Sequence, residues 1–401
     1  MINIVFDLSN MFHRSMFVVG GYGKKGFTFD TQNEIDQLMR KVATDVAFTL
    51  RQVRASRVFF AADSKSWRKK IEIEENEGYK GSREEKKSST INWTNVYNLM
   101  DEFCAIMDKK GLISTKIKGA EADDIMCLWR DKLLFDKNEH VVLVSGDEDI
   151  RQLVFYNSYE SGKKAFCTIF NPFTQGKNAK KKLFVGNFFK EWLTSDDGIG
   201  SIFNRGSDTD KESFTQLINE NSVELEEIDG NEIAMRKIFC GDDGDEIPAL
   251  YTWMGVTQKG DPVQRRITPS VYSKIMEYLK PISLETNNSR IIDHVDLPSL
   301  ELPIEIKLTE ISGHKPNINI SERINRQIKL VVLSKEVFPE EIVEEFDSLS
   351  DNELSKVPDQ INGWYLNTLL EGTRYVVEGF QKAKNEASIF KEIDRISQSL
   401  F

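Results

Sequence analysis

Three short apolar runs, each leading to aspartate, constrain the fold of this 401-residue chain more than any other feature. The runs occupy residues 2–6, 58–62 and 141–144. The aspartates that follow them are Asp7, Asp63, Asp147 and Asp149. Between the runs, apolar residues recur at helical spacing over residues 32–54 and 93–107. Strands that alternate with helices predict an α/β fold, with a central, mostly parallel sheet flanked by helices.

We expect these aspartates to lie close together. The carboxyl ends of parallel strands meet at one edge of a sheet, and ligands bind there in open α/β folds. Aspartate after a strand is also ordinary turn chemistry, which is the simpler explanation for any one of them. Three strands that end in the same way predict a cluster of carboxylates in one small volume.

Two further acidic segments extend this cluster. Gly119-Ala-Glu-Ala-Asp-Asp lies where a helix should begin and supplies Glu121, Asp123 and Asp124, although acids also complement a helix N-terminus. Gly241-Asp-Asp-Gly-Asp-Glu-Ile-Pro248 supplies Asp242 and Asp245. Clustered carboxylates raise one another's pKa unless a cation lies between them, and oxygen-only ligands suit Mg²⁺ or Mn²⁺. Two such ions about 4 Å apart are the arrangement that supports phosphodiester hydrolysis.

A basic and aromatic segment directly follows Asp63. It contains Lys65, Trp67, Arg68, Lys69 and Lys70, and then Tyr79, Lys80 and Arg83. Lys80 and Arg83 are one helical turn apart, so both could contact one phosphate. Tyr79 could stack on a base. Six acids lie between Lys65 and Lys87, so the segment fits a charged surface helix equally well.

Charge and composition restrict the setting of the protein. The net charge of −11 disfavours a nucleic-acid partner at face value, but carboxylates at a metal site count as negative until cations bind. No apolar run approaches the roughly 18 residues of a membrane span. Asp7 and the His13-Arg14 pair interrupt the N-terminal apolar stretch, unlike a secretory signal. The four cysteines are far apart and form no CxxC pair, which favours a reducing cytoplasm.

Together these motifs resemble the 5′ nucleases, or flap endonucleases, and occur in the order of that family. The matching motifs are Asp7, the run 63–68, Tyr79-Lys80-x-x-Arg83, Gly-x-Glu-Ala-Asp-Asp, Ser-Gly-Asp-x-Asp-x-x-Gln-Leu and Gly-Asp-x-Gly-Asp-x-Ile-Pro. Trp67-Arg68, Arg266-Ile-Thr-Pro269 and Arg323-x-Asn-x-x-Ile-Lys-Leu are most similar to the T-even phage ribonuclease H branch. The resemblance covers roughly residues 1–155 and 236–345.

The resemblance implies a role for each matched residue. One of two Mg²⁺ ions, for which Mn²⁺ could substitute, would be held by Asp7, Asp63, Glu121 and Asp123. The other would be held by Asp147, Asp149, Asp242 and Asp245, with Asp124 nearby. Lys80 and Arg83 would act on the scissile phosphate as catalytic residues. The nucleic-acid-binding residues would be Arg68, Tyr79, Lys80 and Arg83, with Tyr79 stacking near the 5′ end.

The implied function is a metal-dependent 5′→3′ exonuclease and flap endonuclease of the ribonuclease H type. It would remove RNA primers and flaps during phage DNA replication, in the host cytoplasm, leaving 5′-phosphates. Its substrates would be DNA and RNA/DNA hybrids with 5′ ends or flaps. A sliding clamp and a single-strand-binding protein are candidate partners. The alternatives are a PIN-like ribonuclease, which is usually much shorter, and a non-catalytic DNA-binding replication factor, which would lack the carboxylates.

The predicted organisation has four segments. Residues 1–155 form the nuclease core, with a helical arch at 64–95, and residues 156–235 form a basic and then acidic insertion. Residues 236–300 form a helical DNA-binding region that completes the metal site, and residues 301–401 form a C-terminal helical region. Residues 249–255 do not reproduce the family's Gly-x-Gly hairpin, so the mode of duplex binding stays open. For an amphipathic helix at 393–401, packing on its own domain is favoured over clamp binding.

Overall fold

The protein divides into two compact units in a computed structural model. The structure describes residues 2–21, 25–53, 55–73, 78–81, 91–109, 112–156, 165–173, 180–186, 223–287 and 294–356. Unit 1 is drawn from residues 1–66, 87–228 and 339–401. Unit 2 is drawn from residues 67–86 and 229–338.

The described secondary structure includes ten strands and nine α-helices, besides short 3₁₀ and π helices. The strands are β1 (Ile2–Asp7), β2 (Arg57–Ala61), β3 (Ile113–Thr115), β4 (His140–Val144), β5 (Phe155–Tyr156), β6 (Phe166–Asn171), β7 (Lys182–Val185), β8 (Glu224–Glu227), β9 (Thr252–Val256) and β10 (Pro262–Arg266). The helices are α1 (Leu8–Val19), α2 (Gln32–Gln52), α3 (Trp93–Lys109), α4 (Ala122–Asp131), α5 (Gly230–Cys240), α6 (Pro269–Asn287), α7 (Glu301–Ser312), α8 (Ile320–Val331) and α9 (Glu340–Lys356).

Unit 1 is built on one sheet of the first eight strands. Its order is β3-β2-β1-β4-β6-β7-β8, and β5 pairs with β6. All of these pairs are parallel except β5–β6 and β6–β7. The sheet confirms the predicted fold class, a mostly parallel sheet flanked by helices. Strands β6 to β8 come from the segment predicted to be an insertion, of which residues 157–164, 174–179 and 187–222 lie outside the described residues.

The core of unit 1 forms because the central strands are apolar on both faces. Every residue of β1, β2 and β4 is buried, as a parallel sheet covered on both sides requires. Phe6 and Phe60 are register partners on neighbouring strands, and their rings stack with centroids 5.4 Å apart. Phe103 of α3 meets Phe60 edge to face at 5.5 Å. These aromatic contacts fix α3 against the strands that carry the predicted acids.

Unit 2 is mainly helical. Helices α5 to α8 bury an apolar core that includes Met235, Phe239, Leu279, Ile304 and Ile324. The helical region predicted over 236–300 contains α6, but residues 252–256 and 262–266 form the antiparallel pair β9 and β10 instead of helix. The missed signal was two short runs joined by a glycine-containing turn, in which Gly260 has a φ of 88°.

Two other sequence predictions fall partly or wholly outside the described residues. Residues 74–77 and 82–90 of the predicted arch, and the predicted helix at 393–401, lie outside the described residues. Among the arch residues that the structure describes, Trp67–Lys70 form a 3₁₀ helix. No helix in the described part of the chain combines the length and the apolar character needed to cross a bilayer.

We expect Phe346→Ala to destabilise unit 1. Phe346 of α9 is 1% exposed, and its ring meets Trp129 of α4 edge to face with centroids 5.0 Å apart. Removing a buried phenylalanine should lower the free energy of unfolding by about 3 kcal/mol or more. Urea unfolding followed by tryptophan fluorescence measures the change. Leu349→Ala, an exposed position on the same helix, is the control. If the two variants unfold at the same urea concentration, the contact between Phe346 and Trp129 contributes little to the free energy of unfolding.

Candidate active site

The carboxyl ends of three adjacent parallel strands bring predicted acids to one edge of the sheet in unit 1. Asp7 is the last residue of β1, Asp63 follows β2 by two residues, and Asp147 follows β4 by three. Because β1 lies between β2 and β4, Asp7 occupies the centre of this edge. The negative charges of Asp63 and Asp147 both act on Asp7. We call Asp7, Asp63 and Asp147 the edge carboxylates.

Asp7 is buried and held by two hydrogen bonds. Its Oδ1 accepts the backbone N–H of Asn10 at 2.8 Å, so Asp7 is also the N-cap of α1. Its Oδ2 accepts the hydroxyl of Ser145 at 2.8 Å. Burial chiefly, and then the charge of Asp63, raise the pKa of Asp7 to about 7, although both hydrogen bonds act in the opposite direction. The edge therefore carries more negative charge than the protein's own groups neutralise at Asp7.

Asp63 connects the edge to the start of helix α4. Its Oδ1 accepts the backbone N–H of Ala122 at 2.6 Å, and its own N–H donates to Ser9 Oγ at 3.0 Å. Ala122 is the first residue of α4, so this carboxylate satisfies one of the helix donors that lack an intrahelical partner. The helix N-terminus thereby sets the position of Asp63.

Some acids of the motif at the start of α4 cap the helix, and others are available to the candidate site. Glu121 is the N-cap, and its N–H donates to Asp124 Oδ2 at 3.1 Å in a capping box. Asp124 is fully buried, and its side chain accepts the hydrogen bond described above at the N-terminus of α4. Glu121 Oε2 accepts the hydroxyl of Ser66 at 2.9 Å, and Asp123 is half-buried. The ordinary explanation for acids at a helix start therefore accounts for Asp124.

Ser145 links two of the edge carboxylates and was not predicted as a site residue. It donates to Asp7, and its Oγ accepts the backbone N–H of Asp147 at 3.0 Å. Asp147 is exposed, and its Oδ1 accepts the N–H of Asp149 at 3.1 Å. The signal was present in the Ser-Gly-Asp motif, where a hydroxyl two residues before an acid can hold the turn.

Asp242 and Asp245 lie in a tight turn of unit 2. Gly241 precedes them with a φ of 73°, and a Cβ there would lie 2.3 Å from the carbonyl oxygen of Ile247. Lys237 Nζ lies 2.5 Å from Asp242 Oδ2. Burial acts to raise the pKa of Asp242, but the hydrogen bond and charge of Lys237, with two turn N–H groups, lower it overall. A lysine of the same unit therefore neutralises Asp242.

Asp245 is buried against the described part of the predicted arch. Tyr79 donates its hydroxyl to Asp245 Oδ2 at 3.2 Å, and Lys80 Nζ lies 3.5 Å from the same oxygen. The N–H of Lys80 also donates to the carbonyl of Asp245 at 3.1 Å. Tyr79 is 5% exposed and belongs to the unit 2 core. In the structure Tyr79 and Lys80 hold Asp245, and their contacts with nucleic acid stay predictions.

The other two predicted nucleic-acid-binding residues are Arg68, which the structure describes, and Arg83, which it does not. Arg68 is 1% exposed, and its guanidinium lies 4.8 Å from the ring centroid of Trp67 and 5.9 Å from that of Phe338. It packs inside unit 2 rather than on its surface. Arg83 lies outside the described residues.

The chemistry of the edge carboxylates fits a divalent cation. Their donors are all carboxylate oxygens, which hard cations prefer. Burial and then the charge of Asp63 raise the pKa of Asp7, and a bound cation would offset both by stabilising the charged carboxylate. Within the described residues, no group of three or more Asp, Glu, His or Cys side chains is spaced to hold a metal ion. An ion would therefore require these side chains to rotate from their present hydrogen-bonded positions.

Comparison with known proteins gives a family match over the part of the chain that carries this edge. The family model described as the 5′-3′ exonuclease, N-terminal resolvase-like domain, matches residues 3–179. Residues 3–179 are therefore similar to the 5′-3′ exonuclease family. The match agrees with the predicted 5′ nuclease family and with the predicted enzyme class, a nuclease hydrolase. The specific likeness to the T-even phage ribonuclease H branch stays a prediction.

Solved structures of bacteriophage T5 proteins are also similar. One is a T5 protein co-crystallised with metal ions, at 15% identity over 95% of this chain and 100% of that chain, with a TM-score of 0.45. Another is the T5 5′-exonuclease with bound zinc, at 16% identity over 95% and 100%, with a TM-score of 0.43. A third is the T5 flap endonuclease in a pseudo-enzyme-product complex with DNA and metal ions, at 16% identity over 93% and 100%, with a TM-score of 0.44. No curated protein matches the chain.

We expect Asp7→Asn to stabilise the metal-free protein at neutral pH. The folded state keeps a proton on Asp7 up to a pKa of about 7, against 3.8 ordinarily, so the wild type loses stability as pH rises between these values. Asparagine carries no charge and can still accept from the N–H of Asn10. In EDTA, the variant's Tm should exceed that of the wild type by at least about 3 °C near pH 7.5.

The same comparison near pH 4 should show similar Tm values, because wild-type Asp7 is then mostly protonated. Asp136→Asn, at an exposed carboxylate elsewhere in unit 1, is the control and should not reproduce the neutral-pH gain. A wild type that is the more stable protein near pH 7.5 would contradict the proposed repulsion at the edge.

Proposed function

We propose that this protein is a metal-dependent 5′ nuclease that hydrolyses phosphodiesters at 5′ ends and flaps. The observation that carries the proposal is the set of edge carboxylates, in which burial and then the charge of Asp63 raise the pKa of Asp7 to about 7. They lie in the part of the chain that matches the 5′-3′ exonuclease family. That match favours this function over the PIN-like ribonuclease.

The proposed substrates are DNA and RNA/DNA hybrids with free 5′ ends or flaps. The biological role would be removal of RNA primers and flaps during phage DNA replication, with a sliding clamp and a single-strand-binding protein as candidate partners. The match of residues 3–179 to the 5′-3′ exonuclease family supports a nucleic-acid substrate.

The chain's own residues would hold the ions and the phosphate. Two bound Mg²⁺ or Mn²⁺ ions would lower the pKa of the attacking water and offset negative charge on the phosphate. The side chains proposed to hold them are Asp7, Asp63, Glu121, Asp123, Asp147, Asp149, Asp242 and Asp245. Ser145 would keep Asp7 and the Asp147 turn in place, and Ser66 would orient Glu121. No side chain is required to attack phosphorus.

Lys80 and Arg83 are proposed to offset the charge that develops on the phosphate. Lys80 is 14% exposed at its side chain and lies beside Asp245, so its cation is already positioned within unit 2. A positioned cation stabilises a charged transition state more than a mobile one does.

A direct assay tests the proposal. Purified protein is incubated with end-labelled primer–template, nicked and 5′-flap substrates, as DNA and as RNA/DNA hybrids, with Mg²⁺ or with EDTA. Cleavage near the 5′ end that requires Mg²⁺ and leaves 5′-phosphates is expected. Cleavage that proceeds equally in EDTA would overturn the metal dependence.

We expect Asp147→Asn to abolish cleavage of a 5′ flap in Mg²⁺ while preserving most of the DNA affinity. Loss of a supporting residue around a metal commonly reduces activity about 10- to 100-fold, so loss of a proposed ligand should reduce it at least as much. Single-turnover cleavage and fluorescence anisotropy measure the two effects. Glu148→Gln, the neighbouring exposed carboxylate, is the matched control. Cleavage by Asp147→Asn at the wild-type rate would remove this residue from the metal site.

We expect Lys80→Ala to slow hydrolysis more than it weakens binding. Its proposed contact strengthens as charge develops on the phosphate, so kcat should fall with little change in KM. Lys80 has a φ of 54°, and Lys80→Asn removes the charge with a residue that tolerates this backbone, which separates charge from strain. Lys70→Ala, an exposed lysine of the same segment, is the control. A fall in affinity alone would make Lys80 a general phosphate contact.

A further inference from the structure

A pocket of about 330 Å³ lies in unit 1 between helices α1 and α2. Its walls include Arg14 and Phe17 from α1, Lys41 and Phe48 from α2, and Phe173 after β6. We call it the α1–α2 pocket. Its volume falls in the range of sites that bind small organic groups. None of these five residues was singled out by the motifs of the predicted active site.

Two phenylalanines of the α1–α2 pocket are exposed. Phe17 is 47% exposed and Phe48 is 38% exposed, and Val18 beside Phe17 is 47% exposed. Large apolar side chains that are exposed together mark a binding surface more often than isolated ones do. Flat aromatic rings on such a surface are stacking platforms for nucleic-acid bases.

Cations outnumber acids around these rings. Arg14 lies with its guanidinium 4.5 Å from the ring centroid of Phe173, and Lys181 Nζ lies 4.3 Å from that of Phe48. Lys41 forms an ion pair with Asp45, which is the one acid among the described residues that line the pocket. In a chain with a net charge of −11, this local positive excess suits an anionic ligand.

Arg14 also connects the α1–α2 pocket to the edge carboxylates. A Cβ placed on Gly146 would lie 2.1 Å from Nη1 of Arg14, so the guanidinium packs directly against the backbone of Gly146. Gly146 lies between Ser145 and Asp147 in the sequence. A phosphate bound by Arg14 would therefore lie next to the loop that carries an edge carboxylate.

We propose that the α1–α2 pocket binds one unpaired nucleotide of the nucleic-acid substrate. The phosphate contacts Arg14 and Lys41, and the base stacks on Phe17 or Phe48. This inference rests on the proposed function, because that function supplies a nucleic-acid substrate. An acidic peptide would satisfy the cations but would leave the aromatic faces without a flat partner, so the nucleotide is favoured.

Binding of a single-stranded oligonucleotide in EDTA tests the pocket without catalysis. A fluorescein-labelled oligothymidylate is titrated with the full-length protein and followed by fluorescence anisotropy. Phe48→Ala should weaken affinity about five- to tenfold, as expected for loss of one stacked base, and Phe48→Tyr should restore it. Leu349→Ala, another exposed apolar position of unit 1, is the control and should bind like the wild type.

The salt dependence of the same titration tests the phosphate contact. Lys41→Gln should reduce the slope of log affinity against log salt by about 0.7, the value for one contact with a single strand. Lys137 is an exposed lysine that precedes β4, at the end of the strand away from Asp147, and Lys137→Ala should leave the slope unchanged. An oligonucleotide that carries 5-iododeoxyuridine should cross-link to peptides that contain Phe17 or Phe48.

The outcomes separate this inference from the proposed function. If Phe48→Ala and Lys41→Gln bind the oligonucleotide like the wild type while flap cleavage persists, the pocket assignment is overturned and the nuclease assignment stands. If the wild type neither binds nor cleaves nucleic acid, both are overturned. If an acidic peptide binds the wild type but not Phe48→Ala, and oligonucleotide affinity is unchanged by that substitution, the pocket is a peptide site and the proposal is wrong.

Discussion

The repulsion between Asp7 and Asp63 at the end of the central strands is the interaction on which the candidate site depends. A buried carboxylate loses hydration, and a second carboxylate nearby increases the cost of its charge. The fold compensates in part with helix N-termini. Asp7 caps α1, and Asp63 accepts from the first residue of α4. These contacts position the acids without neutralising them, so the edge retains an electrostatic deficit that a divalent cation can offset.

The three central strands could be predicted from the sequence because each contains a short run of mostly apolar residues. Strand β1 includes the apolar run at residues 2–6 that was predicted to be a strand. The parallel pairing of β1 with β2 and β4 then brings Asp7, Asp63 and Asp147 to one edge of the sheet. The β9–β10 pair was not predicted, since all of its residues are exposed or half-buried and no buried apolar run marks either strand. Strands β6 to β8 depend on pairing between distant segments, which local patterns do not specify.

The chemical role of individual acids and cations was harder to predict than their presence. Asp123 and Asp124 are adjacent, but a helix turns by about 100° per residue, and only Asp124 faces the helix cap. Tyr79 and Arg68 belong to a basic segment typical of nucleic-acid binding, yet both are buried in unit 2. Their long amphipathic side chains fit a core or a surface equally well, and tertiary packing decides between these environments.

The pKa of a predicted metal-binding carboxylate is raised in unit 1 and lowered in unit 2. In unit 1, backbone N–H groups and the Ser145 hydroxyl hold the edge carboxylates, and the pKa of Asp7 is raised. In unit 2, Lys237 pairs with Asp242 and Lys80 lies beside Asp245, and the pKa of Asp242 is lowered. A cation would relieve repulsion at Asp7, whereas at Asp242 and Asp245 it would compete with a lysine. Because Lys80 is also the proposed phosphate contact, an ion bound at Asp245 would leave the positive charge of Lys80 for the substrate, while the hydrogen bond from its backbone N–H to the carbonyl of Asp245 keeps the residue in place.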